Sequence, residues 1–531
     1  MNIEIMRFNT VLILLISAFS NLLISQDYDL IILNGSIYDG SGSAPYTSDL
    51  GIKGLKIISI GKLNTSSATK VIDATELALS PGFIDLHAHL EPILQMPGAE
   101  SHVRQGVTLA LGGPDGGSLW PFGEELEEIS KKQLGMNVAF LAGHNTIRKN
   151  IMNLDNREPT PEELDKMKSQ VAQAMEEGAF GLSTGLKYLP GTFSKVDEVI
   201  ELSKVAARYG GFYTSHLREE GLGLIDAVKE AIMIGKEANI PVVLTHHKAI
   251  GKPSWGKSVE TLKLVDEANR SGLDIQIDQY PYTASYTSLS VLIPSWALEG
   301  GREDFTKRVH NSELRDSIKN GIIFNIMNDR GSGDLKRIQF GKVDWYKDLE
   351  GKTLEDWCRI KKIAPTPENG ADLIIEAEVN GGAGAIFHAI DDADVDRIMK
   401  HPKTMIASDG RLSVPGYGHP HPRAYGTFPR VLGHYVRERK LLTLEEAIHK
   451  MTLLPALRLG LKNRGFISAG NFADLVIFDP KTVKDKSTYE APHQYPEGIL
   501  YVIVNGTITV DNGTFTENRA GKVIYGPAKK P

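Results

Sequence analysis

Residues 81 to 90 read PGFIDLHAHL, a short apolar run that ends in two histidines one residue apart, His87 and His89. In a β-strand, residues i and i+2 point to the same face, so the two imidazoles project together from the carboxyl end of the run. That is a pair of ligands poised for something to bind.

The middle of the chain repeats the pattern. "GVTLALGG", "MNVAFLAGH", "AFGLSTG", "GFYTSH", "PVVLTHH", "LDIQIDQY" and "TMIASDG" are short apolar runs, each closing on Gly or a polar residue. Helical periodicity lies between several of them. Thr160, Pro161 and Glu163 form a capping-box start, Leu164, Met167, Val171 and Ala174 keep helical spacing, and Gly178 stands where the helix must stop. With "GFIDLH" the runs make a set of eight, which predicts an α/β fold of the (β/α)8 TIM-barrel type whose chemistry collects at the carboxyl ends of the strands. "GAIFHAI" at 384 to 390 is a ninth candidate, belonging either to the barrel or to the charged, Gly-rich stretch at about 298–400, which reads as an insertion over the mouth.

Both ends of the chain have a different texture. "DLIILNGSIYDGSG" and "LGIKGLKIISIG" near the start, and "GNFADLVIFDP" and "ILYVIVNGTITVDNGTF" near the end, alternate β-branched and polar residues between Asn, Asp and Gly turns. The expected organisation is a small β-sandwich built from residues 27–80 and 464–531, with the barrel, 81–463, inserted between. Before it, Met1 to Gln26 carries Arg7, an apolar stretch starting "VLILLI" and a small-residue end, and Ser17, Ser20 and Asn21 keep the apolar run shorter than the ~20 residues of a spanning helix. Residues 1–25 therefore read as a cleaved signal peptide, with a secreted or periplasmic product and no membrane attachment after cleavage.

Composition narrows the function. At 531 residues, 41% apolar and 24% charged, the chain can bury a large core. A net charge of -7 without a basic run gives no footprint for nucleic acid and favours a small-molecule or peptide partner. The single cysteine, Cys358, excludes a disulfide framework and a thiolate cluster. The ends of the runs supply a different donor set: His87, His89, Asp115 in "GGPDGG", His216, His246, His247 and Asp409 in "ASDG". Imidazoles and carboxylates suit zinc, and so many at one rim are costly to leave without a metal or hydrogen-bonding role.

These residues resemble a known family. "PGFIDLHAH" after an amino-terminal β segment, the later strand-end histidines, "SDG" and the closing "GFISAGNFADLVIFDP" with "VNG" resemble the amidohydrolase superfamily over essentially the whole chain after residue 26. "GLSTGLKY", "TSHLREEG", "LTHHKAIG", "DQYPYTAS" and the specific "HPHPRAYGTFPRVLG" resemble the D-aminoacylases, or N-acyl-D-amino-acid deacylases. The resemblance implies one or two divalent ions, zinc first, that activate a water to attack an amide carbonyl. It implies His87 and His89 at one metal position, His216 and His246 at the other, and Asp409 beside the water as ligand and general base. The family's cysteine turn reads Gly113-Pro114-Asp115-Gly116 here, so Asp115 either replaces the thiolate or only forms the turn. Lys187 is either a metal-bridging carboxylated lysine, as in related amidohydrolases, or an ordinary solvated one. Lys248, Arg423 and Tyr280 are implied to hold the α-carboxylate of an N-acyl amino acid or dipeptide, with Arg423 alternatively pinning its own loop. Two rivals are a hydantoinase-like cyclic-amide hydrolase and a catalytically silent binding protein.

Overall fold

The structure is a computed structural model in which residues 27–529 are described; the segment read as a signal peptide lies outside the described residues. The fold is mixed α/β. All eight apolar runs form strands: Phe83–Asp85, Val107–Gly112, Asn137–Phe140 continuing as Ala142–Gly143, Gly181–Gly185, Phe212–His216, Val242–Leu244, Ile275–Gln279 and Thr404–Ile406. Neighbours in this series pair in parallel in chain order, the first three in one sheet and the rest in another that starts at Ala142. The extension of the last strand, Gly410–Arg411, pairs in parallel with Ala88–His89 beyond the first. Asp409 N also donates to His87 O at 2.8 Å, so the first and last strand ends lie side by side.

The strands are unbroken apolar runs because both faces are buried. Alternate residues go to different apolar clusters: Ile84, Leu109, Ala139, Val243 and Met405 to one, Phe83, Ala110, Val138, Leu244 and Ile406 to another shared with the surrounding helices. Between strands, the helix Pro161–Glu177 has both halves of its capping box and ends at Gly178, whose φ of +117° suits a residue without Cβ.

Both ends of the chain meet in one sheet of nine strands, in which Ala78–Pro81 joins the amino-terminal strands to Leu475–Phe478, Ile499–Val504 and Thr507–Asp511. The ninth candidate run proves to be Gly384–Phe387, the middle of a three-stranded antiparallel sheet with Ser285–Ser288 and Ile338–Phe340. With the helices Arg302–His310, Ser312–Asn328 and Pro367–Asn380 it encloses its own apolar core, from Leu289 to Phe387, and that core holds Trp357 and Cys358. The helix Asp392–Lys400 packs instead on Ser258–Arg270 and Thr404–Ile406.

Candidate metal centre

Strand ends and their turns deliver the polar side chains to one place. Asp85 Oδ1 accepts from His87 N at 3.2 Å and Ser408 N at 2.9 Å, tying the first strand end to the residue before Asp409. Asp278 Oδ1 accepts from His246 N at 2.6 Å. The turn carrying Asp115 is fixed by Ser183, which donates to Gly113 O at 2.6 Å and accepts from Gly116 N at 3.2 Å. Three of the gathered residues have left-handed backbones, Asp115 (φ 54°), His246 (φ 37°) and Asp409 (φ 50°). Such conformations cost of order 1 kcal/mol each outside glycine and persist where surrounding structure imposes them, typically at functional sites.

The result is two groups of ligand atoms, each within 4.8 Å of one another: His87, His89, Asp115 and Asp409, and then Asp115, His216 and His246. Asp115 Oδ1 is 3.2 Å from His246 Nε2 and 3.5 Å from His87 Nε2, and Oδ2 is 3.7 Å from His89 Nε2. His216 Nδ1 faces His246 Nε2 at 2.7 Å. Asp409 Oδ1 is 3.2 Å from His89 Nε2, whereas Oδ2 lies 2.8 Å from an Arg423 guanidinium nitrogen.

The electrostatics fit a divalent cation. Burial raises the Asp115 carboxyl, but His87 and His246 outweigh it and hold the group well below the usual carboxylate range. Burial and the Lys248 charge push His246 down, yet Asp115 and Glu220 lift it to about 9; burial, partly opposed by Glu220, drops His216 to about 3. The two imidazoles thus meet at a point where several lone pairs converge, with Lys248 Nζ 2.8 Å from the other nitrogen of His246. Both ring nitrogens of His87, and His216 Nε2, are buried with no hydrogen-bond partner. A cation would satisfy these converging donors. Burial likewise raises Asp409, and Arg423, His87 and His89 reverse it to below the ordinary range, keeping the carboxylate ionised.

The other sequence candidates fall around this cluster. Lys187 belongs to neither ligand group; its ammonium is 2.7 Å from Glu219 and 3.9 Å from Asp329. Lys248 is turned to the protein interior, donating to Glu220 Oε1 at 2.5 Å and to His246 O at 2.7 Å. Tyr280 is buried beneath Arg423, whose guanidinium lies 4.8 Å from the ring centroid. Of the three substrate-binding candidates only Arg423 lines the mouth cavity, about 930 Å³ bounded by His89, Asp115 and Asp409 at its floor and by Ser288, Lys342 and Tyr417 at its rim.

Sequence reasoning passed over Glu220 and Arg330. Glu220 is 3.3 Å from His246 Nδ1 and 3.6 Å from His216 Nε2, behind both imidazoles. Arg330, beyond the helix Ser312–Asn328, reaches Glu220 Oε2 at 3.3 Å. Glu220 follows a ligand histidine by four residues in "SHLREEG", a usable signal, but adjacent glutamates in a loop read as a solvated pair. Arg330 carries no such mark.

Comparison with known proteins agrees with this geometry. Residues 364–510 match the model of the amidohydrolase family. The chain is 34% identical to a D-aminoacylase of Alcaligenes xylosoxydans xylosoxydans, covering 94% of this chain and 98% of that protein, and 34% identical to an N-acyl-D-glutamate deacylase of the same organism, covering 94% and 97%. Among solved structures, N-acyl-D-glutamate deacylase from Bordetella bronchiseptica, complexed with zinc and a phosphonate inhibitor, superposes with a TM-score of 0.81 at 31% identity, covering 94% of this chain and all of that one. A D-hydantoinase, at 15% identity and a TM-score of 0.57, shares the fold. Identity sustained over nearly the full length of both chains decides the matter, and the chain belongs to the D-aminoacylase family of amidohydrolases.

Proposed function

We propose that this chain is a metal-dependent hydrolase that cleaves the amide bond of N-acyl-D-amino acids or of dipeptides with a D-residue. The observation that carries the reading is the convergence of His87, His89, His216, His246, Asp115 and Asp409, three of which, His89, Asp115 and Asp409, line one large cavity. These six residues would hold one or two divalent ions, zinc first. When bound, such an ion supplies Lewis acidity, lowering the pKa of a water and polarising a carbonyl.

The chain's own groups do the rest. Arg423 fixes Asp409 through Oδ2, leaving Oδ1 directed at the His87 and His89 side of the cavity. From there Oδ1 takes the proton of the attacking water and delivers it to the nitrogen of the leaving amine. A carboxylate held below its ordinary pKa is a weak base, which suits a water already acidified by the site. Arg423, in the cavity wall, also offers a cation to the substrate's α-carboxylate; Lys248 and Tyr280 act behind it. The ion pair of Lys187 with Glu219 favours the linear-amide reading over a lysine-bridged hydantoinase centre.

The fold reading is a (β/α)8 barrel, residues 81–463, inserted into a small β-sandwich domain, 27–80 and 464–531, with the 298–400 region as an insertion. Parallel pairing in chain order and the adjacency of the first and last strand ends support it. The amino-terminal apolar segment supports export to the periplasm or medium, which amino-terminal sequencing of the mature protein checks.

The deciding assay sets metal-loaded protein against paired N-acetyl-D- and N-acetyl-L-amino acids and a hydantoin. Hydrolysis of the D-series, lost on chelation and restored by zinc, is the expected result. Preference for the hydantoin, or full activity of metal-free protein, would end the reading.

A further inference from the structure

We propose that His421 is a positioning residue, which ties the free edge of the three-stranded sheet to the backbone of Arg423 and so aims the Arg423 guanidinium at Asp409. The inference rests on the role given to Asp409 above and adds the group that sets its partner.

Ser285–Ser288 is an edge strand, paired on one side with Gly384–Phe387. Thr283 O accepts from Ile390 N at 3.1 Å and Leu289 N donates to Ala383 O at 2.8 Å. By the alternation of an antiparallel ladder, odd-numbered residues therefore bond toward that neighbour, and Ala284 and Tyr286 turn their carbonyls to the open side. Edge carbonyls kept from water need partners. Two side chains, also two residues apart, take the place of a strand: His421 Nε2 donates to Ala284 O at 3.0 Å, and Arg423 Nη2 donates to Tyr286 O at 3.2 Å.

These partners fix the tautomer of His421. A carbonyl only accepts, so Nε2 carries the proton; Arg423 N donates to Nδ1 at 3.0 Å, so Nδ1 carries none. Both ring nitrogens are thus in use. The imidazole is buried edge-on against Tyr282 and Tyr489, at centroid distances of 5.1 and 5.2 Å, and burial with the Arg423 charge holds it well below its ordinary pKa, in the neutral form both bonds require. His421 fixes where Arg423 starts, at the first turn of the helix Arg423–Arg430, and Tyr286 O and the Tyr280 ring fix the course of its side chain. The remaining face of the guanidinium meets Asp409 Oδ2 at 2.8 Å. Displace the imidazole, and the group that leaves Oδ1 free for proton transfer moves with it.

The test compares zinc-loaded wild type with His421→Phe, His421→Gln, Arg423→Gln and the double variant His421→Phe/Arg423→Gln on the N-acetyl-D-amino acid that wild type cleaves fastest. His421→Phe, which loses both bonds, should lower kcat by at least about tenfold, since a misplacement of about 1 Å can cost about a hundredfold. His421→Gln keeps a donor for Ala284 O and should recover part of that loss; it carries the same comparisons if the Phe variant does not fold. On the Arg423→Gln background, His421→Phe should cost less than about a further threefold, because the group it acts through is gone. Crystal structures of the His421 variants should show the Arg423 guanidinium beyond hydrogen-bond distance of Asp409 Oδ2, with the six ligand residues in place. Additive losses in the double variant, a loss confined to KM, or a guanidinium still on Asp409 in His421→Phe would overturn the proposal. The crystallographic comparison needs no turnover, so a wild type that cleaves no N-acyl-D-amino acid would end the functional reading while the position of Arg423 still decides this one.

Discussion

At the residue scale the site divides by what each side chain can do without its neighbours. His87 and His89 were legible from their i, i+2 spacing, although the strand stops at Asp85, whose carboxylate accepts from His87 N, and only His89 lies in the short strand that follows. Asp409 is different. Its role depends on Arg423, fourteen positions on, whose guanidinium takes Oδ2 and leaves Oδ1 free. Asp409→Asn should keep most bound metal, because the four histidines and Asp115 remain, yet lower kcat by 10²- to 10⁴-fold, the typical contribution of a general acid-base group. Metal content measured beside single-turnover rates checks it, and near-normal turnover would remove Asp409 from proton transfer. The roles of Lys248 and Glu220 were not legible, since a charge in a loop reveals its partner only when the fold closes. Lys248 reads as a cavity cation; it lines a small cavity beside Asp115 and Asp409, and its ammonium contacts both Glu220 and His246 Nδ1.

At the element scale the strands were legible because burial on both faces forces continuous apolar runs, and the ninth run was ambiguous for the same reason. "GAIFHAI" is as apolar as the parallel strands but packs in the three-stranded antiparallel sheet, a choice made by long-range pairing with Ser285–Ser288. Lys450, on Leu444–Met451, is buried, and its ammonium donates to His401 O at 2.6 Å and Thr404 O at 3.2 Å, fastening the helix beneath the last strand. Burial lowers its pKa to about 8 from the ordinary 10.5. Between those values the unfolded chain binds more protons than the folded one, so this lysine makes stability rise with pH through that window, by up to about 1.4 kcal/mol per unit; below it both states are protonated and the contribution is flat. Denaturant melts of wild type and Lys450→Met from pH 7 to 10 should therefore diverge, wild type gaining on the variant above pH 8. Parallel curves would show that the ammonium is not desolvated in the folded protein.

At the scale of the whole molecule, the region that carries its own core is wired to the metal centre through a chain of buried charges. Arg330 pairs with Asp329 at 2.8 Å and with Glu220, and Glu220 stands behind His246 and holds Lys248. Arg330→Met leaves two buried carboxylates short of a cation, so it should cost about 3–5 kcal/mol of stability. Because groups behind the ligands tune affinity, it should also weaken metal binding by 10- to 100-fold. Calorimetry of apo protein and competition with a chelator separate the two effects, and a variant destabilised in the apo form but unchanged in affinity would confine Arg330 to folding. The same region forms one wall of the cavity, opposite Pro92, Met96, Leu412 and Val414. At about 930 Å³ the cavity is near the upper end of small-molecule pockets, and an N-acetyl amino acid fills little of it. The rim cations Arg302, Lys342 and Arg411 are each matched by a carboxylate, Glu378, Asp344 and Glu91, so the unfilled space is not a demand for charge. Apolar length should be rewarded instead. Replacing acetyl by octanoyl on one D-residue adds six carbons, which at about 0.3 kcal/mol per atom amounts to ~2 kcal/mol, or roughly a thirtyfold rise in kcat/KM, expressed mainly in KM. A profile flat in chain length would mean that the acyl chain does not reach this wall and leaves the outer cavity to solvent.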